Sequence, residues 1–381
     1  MRPRVRRSVR LESALYNCSR SCSPREPVRA SPVRMADIDR FRPEDRPAVD
    51  ALYRRVFGHD AADASRLRWE WQYRRNPNNP DGRPVIWIAR EGPTVIGQYA
   101  TMPVRLRVGG HEVDGSWGMD VMVAPERQRQ GIGEVLFRTW DRSVAASLGL
   151  GLSEASQSLL RKLRWPEPGP IPCLVKPLTR RALKRPHWPD PFNRLVSAVT
   201  LPLVKIVSRA RPLEAEIEVV RRFPATFDDL WQRVAPKLDF AVRRDARYLN
   251  WKYAEAPHVR YCLAVLKRDG RPDGYAVYRH LQQPRNRVTL LVDFLADPDD
   301  HAGIATLLGW VDREAREADS DKIRTFALHA GFRRLLRRAG YFTVKSTMGF
   351  TVKVNGAEVP PHFYDDTSRW HVTLGDSDQD R

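Results

Sequence analysis

The chain has 381 residues, too many for one ordinary domain and about right for two plus connecting sequence. With 42% hydrophobic residues it can bury real cores; 30 prolines and 29% charged residues argue against a coiled coil, and the longest apolar run, Leu195 to Val207, is broken by Pro202 and Lys205 and is too short to cross a bilayer. Cys18, Cys22, Cys173 and Cys262 are too few and scattered for a disulfide framework, and Cys18/Cys22 lacks the second ligand pair that zinc needs, so a reducing, cytoplasmic setting and no metal are expected.

The formal charge of +19 is concentrated at one end. Residues 1–34 hold nine Arg and two Glu, and without them the charge falls to +12. A disordered tail, an organelle transit peptide and a start codon set too early compete for this segment. The last is favoured, because Met35 opens Met-Ala-Asp-Ile-Asp-Arg-Phe, the kind of short strand that begins a domain. The remaining excess is mostly arginine and reads as a solvated surface, so nucleic acid is not an expected partner.

From Met35 onward the pattern predicts a strand over 37–41 and an amphipathic helix over 43–57, with Pro43 near its start and Gly58 past its end. Strands follow over 85–89 and 95–104, separated by Glu91-Gly92-Pro93, and a Gly109-Gly110 turn reverses the chain into a strand ending at Val123. Ile132, Leu136, Trp140, Val144 and Leu148 form one stripe of a helix that is expected to stop at Gly149. A strand over 150–153 and a short helix over 157–163 complete the unit. A proline-punctuated basic connector runs over 166–212. Its stretch 192–211 mixes Leu195, Val199 and Leu203 with Arg194, Lys205, Arg209 and Arg211, which fits a bridging helix or weak peripheral contact with an anionic membrane.

The second half then repeats the first at an offset of 173 to 180 residues. Leu52-Tyr53-Arg54-Arg55-Val56 meets Leu230-Trp231-Gln232-Arg233-Val234, and Trp71-Gln72-Tyr73 meets Trp251-Lys252-Tyr253. Gly97-Gln98-Tyr99-Ala100 meets Gly274-Tyr275-Ala276-Val277, and Asp120 with Pro125 meets Asp293 with Pro298. Matches in one order at a nearly constant spacing imply two copies of a mixed α/β domain. The expected organisation is an extension over 1–34, a first domain over 35–175, a linker over 176–215, a second domain over 216–352 and a tail over 353–381. Trp69, Trp71, Tyr73, Trp251 and Tyr253, matched between copies, are expected to pack rather than to bind sugars or bases. Asp376, Asp378 and Asp380 read as a solvated acidic end.

One stretch carries chemistry: Val121-Met122-Val123-Ala124-Pro125-Glu126-Arg127-Gln128-Arg129-Gln130-Gly131-Ile132-Gly133. A strand ends and two glycines open a helix, so backbone and unpaired first-turn N–H groups face one spot, an anion cradle with Arg127 and Arg129 beside it. Leu136 stands where a dinucleotide fingerprint needs its third glycine, and Glu134-Val135 stand where a P-loop needs Lys-Ser or Lys-Thr. The stretch resembles the Arg/Gln-x-x-Gly-x-Gly/Ala acyl-CoA motif of the GNAT acyltransferase superfamily, with Gln128, Gly131 and Gly133 on its defining positions.

That resemblance implies an α/β mixed-sheet fold in tandem GNAT-like copies, with acetyl-CoA or another acyl-CoA as co-substrate. Backbone amides of Gln128, Arg129, Gln130, Gly131, Ile132 and Gly133 would hold the pyrophosphate, and Val121, Met122 and Val123 would pair with the pantetheine arm. It also implies a base for the acceptor amine. Asp120 leads, although its recurrence as Asp293 favours a structural role, and Glu154 is the reserve. The tyrosine that usually protonates the leaving thiolate is replaced by Leu160, leaving Ser153, Ser156, Tyr99 or water as substitutes. The second copy has one glycine and extra acid in Asp299-Asp300-His301-Ala302-Gly303 and reads as a degenerate module. The expected function is N-acyl transfer to an amine of a small molecule, amino sugar or peptide. A tRNA-dependent Fem-like aminoacyl transferase and a non-catalytic acyl-CoA sensor are the alternatives.

Overall fold

Two mixed sheets carry the helices of the computed structural model, which describes residues 36–184, 187–207, 216–356 and 358–379. The 1–34 extension with Cys18 and Cys22, and also Arg209, Arg211 and Asp380, lie outside the described residues. The first half runs β1 (Asp37–Arg40), α1 (Arg46–Phe57), α2 (His59–Trp69), β2 (Ile86–Glu91), β3 (Thr94–Val108), β4 (His111–Val123), α3 (Ile132–Arg142), β5 (Ala146–Leu150), α4 (Glu154–Lys162), β6 (Gly169–Pro170) and β7 (Cys173–Pro177). Helices α5 (Arg180–Leu183) and α6 (Asp190–Val207) follow. The second half runs β8 (Glu216–Val220), α7 (Phe227–Val234), β9 (Phe240–Val242), α8 (Ala246–Leu249), β10 (Cys262–Arg268), β11 (Arg271–Gln282), β12 (Arg287–Ala296), α9 (His301–Glu317), β13 (Lys322–Phe326), α10 (Ala330–Arg338), β14 (Phe342–Val344), β15 (Gly349–Val354) and β16 (Trp370–His371).

The first sheet has the order β1-β2-β3-β4-β5-β15-β6, with β9 on the far end of β3 and β16 on β9. The second has the order β14-β7-β13-β12-β11-β10-β8. Strands β7 and β15 are exchanged: β7 pairs antiparallel with β13, and β15 pairs antiparallel with β5. The second sheet therefore borrows β7 from the first half, and the first sheet takes β15, β9 and β16 from the second.

Sequence explains much of this. Strand β3 is covered on both faces, which is why Val95 to Val104 reads as a nearly unbroken apolar run. Helix α3 buries Ile132, Leu136, Phe137 and Trp140 on its sheet-facing stripe. It ends at Arg142, earlier than its apolar pattern predicts, because Leu148 belongs to β5, where Ala146 to Leu150 are all buried. A short apolar run satisfied both periods, and the sheet claimed it.

The matched tryptophans meet each other. Trp71 Nε1 donates to the Trp251 carbonyl at 2.6 Å, and Trp251 Nε1 donates to the Trp71 carbonyl at 2.9 Å. Their rings stack with centroids 5.1 Å apart and planes 21° apart. Each sits in a single π-helical turn, Glu70–Arg74 and Asn250–Ala254. Both are buried, so packing is the role the structure gives these residues.

The chain's end differs from the solvated tail expected. Trp370 and Asp376 are buried, and the Asp376 carboxylate accepts two hydrogen bonds from Arg244 Nη2 at 2.9 Å. Among the described residues no helix is long and apolar enough to cross a membrane.

Candidate active site

The glycine-rich loop closes strand β4 and opens helix α3. Pro125 starts a single 3-10 turn over Pro125–Arg127, and Gly131 takes φ +84° as the residue that caps α3. A side chain would be strained there, so glycine is required by the turn itself. Gly131 makes no side-chain cap, and none of the main-chain amides of Arg129 to Glu134 donates to a protein acceptor among the described residues. A Cβ placed on Gly131 would meet nothing within 4 Å, and one on Gly133 only Val123 Cγ2 at 3.8 Å. Protein packing does not demand the second glycine; open space in front of free N–H groups is what it preserves. This donor set fits a diphosphate.

The flanking cations divide. Arg127 is held by Glu91, and Glu126 is held by Arg55 at 2.5 Å, which lowers the Glu126 carboxyl below its usual range. Arg129 is exposed beside the open amides. Gln128 Nε2 and Gln130 Nε2 bond back to the Val123 and Glu126 carbonyls and brace the loop.

Past the loop, β4 and β5 diverge. They pair only over Gly115–Trp117 against Ala146–Leu148, so β4 from Gly118 onward has an unpaired edge inside the sheet. A cavity of about 680 Å³ fills the gap. One side is apolar and aromatic, with Phe137, Trp140, Leu148, Leu160 and Trp165; the other is built from α1 and α2, with Tyr53, Phe57, Ala61, Ala64 and Arg68. Its size and mixture of apolar wall with few polar groups suit a small-molecule site.

Asp120 lies on this cavity, and strict alternation along β4 fails at that point. The β3–β4 register passes from Gln98↔Met122 to Ala100↔Met119, leaving Asp120 and Val121 opposite Tyr99 alone. Asp120 adopts φ +38°, which aspartate tolerates better than most residues. The bulge turns Val121 outward and Met122 inward, so Met119 and Val121 do not share the face that uninterrupted alternation predicts. Val121 and Val123 line the outer part of the strand while Met122 is core.

The Asp120 carboxylate is buried and engaged. Oδ1 accepts from Tyr53 Oη at 3.2 Å, Oδ2 accepts from Tyr73 Oη at 2.6 Å, and Arg68 Nη2 stands 3.6 Å away. Burial and the neighbouring carboxylate raise the Tyr73 phenol well above its ordinary range. Burial pulls the Arg68 guanidinium down, but Asp120 and the two phenols outweigh it and the net shift is upward.

Other expected residues fall differently. Ser153 caps α4 by accepting from the Ser156 amide at 3.2 Å. Glu154 follows in the exposed first turn of α4 and lines a neighbouring groove with Gln157, Arg161 and Thr347, not the cavity of Asp120. Leu160 is buried in the cavity wall. Asp378 and Gln379 also line the cavity, brought there by the tail. Lys252 Nζ donates to the Ser377 carbonyl at 2.5 Å and Arg244 grips Asp376, so the second half of the chain anchors the segment that reaches the first half's cleft. Sequence reading missed Tyr53, Arg68 and Asp378. The Tyr73/Tyr253 and Asp120/Asp293 matches were the available signal, since a repeated pair marks a repeated contact.

The corresponding helix start in the second half is closed. Asp300 caps α9, its carboxylate accepting from the Gly303 amide at 2.9 Å, and a Cβ on Gly303 would fall 2.3 Å from Asp300 Oδ2. Lys237 holds Asp297 and Asp299, and Arg268 holds Asp300. His301 begins the helix and is exposed. At Asp293 the cleft is filled by Tyr253, Tyr275, Arg244 and Thr373, all within 3.2 Å of its oxygens.

Residues 37–152 match the sequence model of the acetyltransferase (GNAT) domain family. No curated protein matches the chain in sequence. Among solved structures, a GCN5-related N-acetyltransferase from Anabaena variabilis is similar with a TM-score of 0.58 and 13% identity, over 84% of this chain and 72% of that one. A probable N-acyltransferase from Enterococcus faecalis gives 0.56 and 11%, over 84% and 72%. Saccharomyces cerevisiae N-myristoyltransferase with bound myristoyl-CoA gives 0.52 and 12%, over 85% and 83%. The architecture is a mixed α/β GNAT-like fold, and the segment matching the acetyltransferase domain is the one that carries the open loop.

Proposed function

We propose that this chain is an acyl-CoA-dependent N-acyltransferase built from two GNAT-like modules with exchanged strands, of which only the first retains the cofactor site. The observation that carries this reading is the row of unengaged amides at Arg129 to Glu134 over two glycines with open space before them. In the second module Asp300 supplies its own carboxylate to the same helix position, which supports its reading as degenerate.

Main-chain N–H groups of Arg129 to Gly133 hold the CoA pyrophosphate, the Gln128 amide being turned to the Pro125 carbonyl, and the unpaired edge of β4 beyond Trp117 receives the pantetheine arm as an added strand. The bound thioester supplies an activated acyl group. An amine on the α1–α2 side must be neutral to attack, and an unperturbed alkyl amine is mostly protonated at neutral pH. Tyr53 lines the cavity and donates to Asp120, so it relays the amine's proton to that carboxylate. Tyr73 and Arg68 orient Asp120 for this work. Phe57, Ala61 and Ala64 give the acceptor side an apolar wall, and Asp120 and Asp378 give it negative charge, a combination suited to a cationic amine with an apolar body.

Acyl-CoA and an amine are therefore the partners in this reading. Phe192, Leu195, Val199 and Leu203 are exposed along α6, which supports the weak peripheral membrane contact considered for 192–211. Free thiol release from acetyl-CoA over a panel of amines tests the function. Turnover supports it; CoA binding by calorimetry without turnover of any amine makes the chain a sensor, and neither binding nor turnover removes the reading.

A further inference from the structure

We propose that Tyr99 is the proton donor to the departing thiolate, acting from strand β3 in place of a donor on helix α4; this rests on the acyltransferase reading above. Five hydroxyls line the cavity: Tyr53 donates to Asp120 and Thr351 to the Pro166 carbonyl, which leaves Ser153, Ser156 and Tyr99 to compete. Ser153 is exposed and Ser156 half-buried, and their oxygens bond each other at 3.0 Å, with Ser153 also committed to capping α4. Helix α4 turns Leu160 into the cavity, which has no proton to give.

Tyr99 differs on each count. Its residue is 6% exposed, and its hydroxyl makes no hydrogen bond among the described residues although the ring forms part of the cavity wall. The hydroxyl therefore opens onto the cavity with its donor and acceptor capacity available to a ligand atom. The ring is fixed by stacking on Trp140, with centroids 4.8 Å apart and planes 23° apart, and by an edge contact to Phe137 at 5.9 Å. Its hydroxyl lies against Gly118, where a Cβ would fall 2.4 Å from Oη. Gly118 is therefore the residue that admits the phenol to the cleft, at the first β4 position without a β5 partner. Tyr99 also stands opposite the Asp120 bulge, so donor and acceptor groups occupy one level of the sheet. Burial, with a smaller contribution from the Asp141 charge, raises the phenol well above its ordinary range and keeps it in the donor form.

In the step assigned to it, the amine nitrogen forms the new N–C bond and the C–S bond breaks with its electron pair going to sulfur. Tyr99 Oη hydrogen-bonds the sulfur as charge builds and passes its proton to it. The proton released by the amine through Tyr53 and Asp120 returns to the phenol through water in the cleft, so the sum is thioester plus amine giving amide plus thiol.

Tyr99→Phe keeps the ring and its stacking while removing the hydroxyl. Full-length protein should bind CoA by calorimetry within about twofold of wild type and unfold at an unchanged midpoint, while kcat for acetyl transfer to the best amine falls about 100-fold. A kcat equal to wild type overturns the assignment, and so does a kcat loss matched by an equal loss of CoA affinity, which would make Tyr99 a packing residue. A wild-type protein that binds CoA and releases no thiol overturns the enzymatic reading itself, and the proton-donor role with it.

Discussion

The two halves of the chain place a helix after the same kind of strand and treat its first turn in opposite ways. At α3 the amides are left without acceptors and two glycines keep the approach clear. At α9 Asp300 accepts from the Gly303 amide, and its carboxylate occupies the space a ligand anion would need. The same contrast recurs one strand earlier: Asp120 borders a cavity of about 680 Å³, whereas Asp293 is closed in by Arg244, two tyrosines and Thr373. The position beside Asp120 is thus open, and the position around Asp293 is filled by the chain's own side chains.

The largest expected effect breaks the filled half. Arg244→Met leaves the Asp293 and Asp376 carboxylates buried without their counter-charge, and should destabilise by about 3–5 kcal/mol in urea unfolding. A loss below about 1 kcal/mol would mean that this cluster does not lock the second half.

Acid should attack the same half. Burial, with the positive charge of Arg369 and Arg333, lowers His329 to about 4, below the unfolded value near 6.5. Its neutral ring accepts from the Phe332 amide at 3.3 Å at the start of α10. A depressed histidine favours the fold fully above the unfolded value, and the gain is lost as pH falls from about 6.5 towards 4, about 3 kcal/mol at the limit. His371, lowered by burial and by Arg244, acts in the same direction. Unfolding midpoints measured from pH 7 to 4 should fall, and His329→Asn, which retains a capping side chain, should flatten the slope. An unchanged slope would remove His329 from the account.

In the open half the effects should appear in binding and turnover. Gly131→Glu puts a carboxylate at φ +84° in the anion cradle, and CoA affinity should fall at least about 100-fold by calorimetry with the far-ultraviolet spectrum preserved. Asp120→Asn should lower kcat about 100-fold with CoA affinity within about twofold. Full activity of that variant would take Asp120 out of the proton relay.

The smallest effect sharpens the contrast between helix starts. Asp300→Ala removes a cap and should cost about 1 kcal/mol, with no change in CoA affinity. A change in CoA affinity would place the ligand at the wrong helix.

How legible was this in the residues? Patterns with a local physical cause were: Pro125, Gly131 and Gly133 define the loop by backbone geometry, and amphipathic stripes define α1 and α3. The match of Trp71 with Trp251 was visible because each must satisfy an indole N–H in one buried contact, which constrains residue type at both positions. What escaped was set by partners far along the chain. The bulge at Asp120 leaves the composition of β4 unchanged, Leu148 fits a helix stripe or a strand equally, and the exchange of β7 with β15 depends on pairing that no local pattern records. Asp376 looked like solvent-exposed acid because its counter-charge, Arg244, stands 132 residues earlier in the chain, and Asp378 because the cavity it lines is built mostly by the first half.

The central claim is that free amides at the start of α3 grip a diphosphate. Amide-resolved NMR of the full-length protein titrated with CoA tests it most directly. Saturable shifts should appear at residues 129–134, with none at 300–304. An unmoved set at 129–134 would contradict the account.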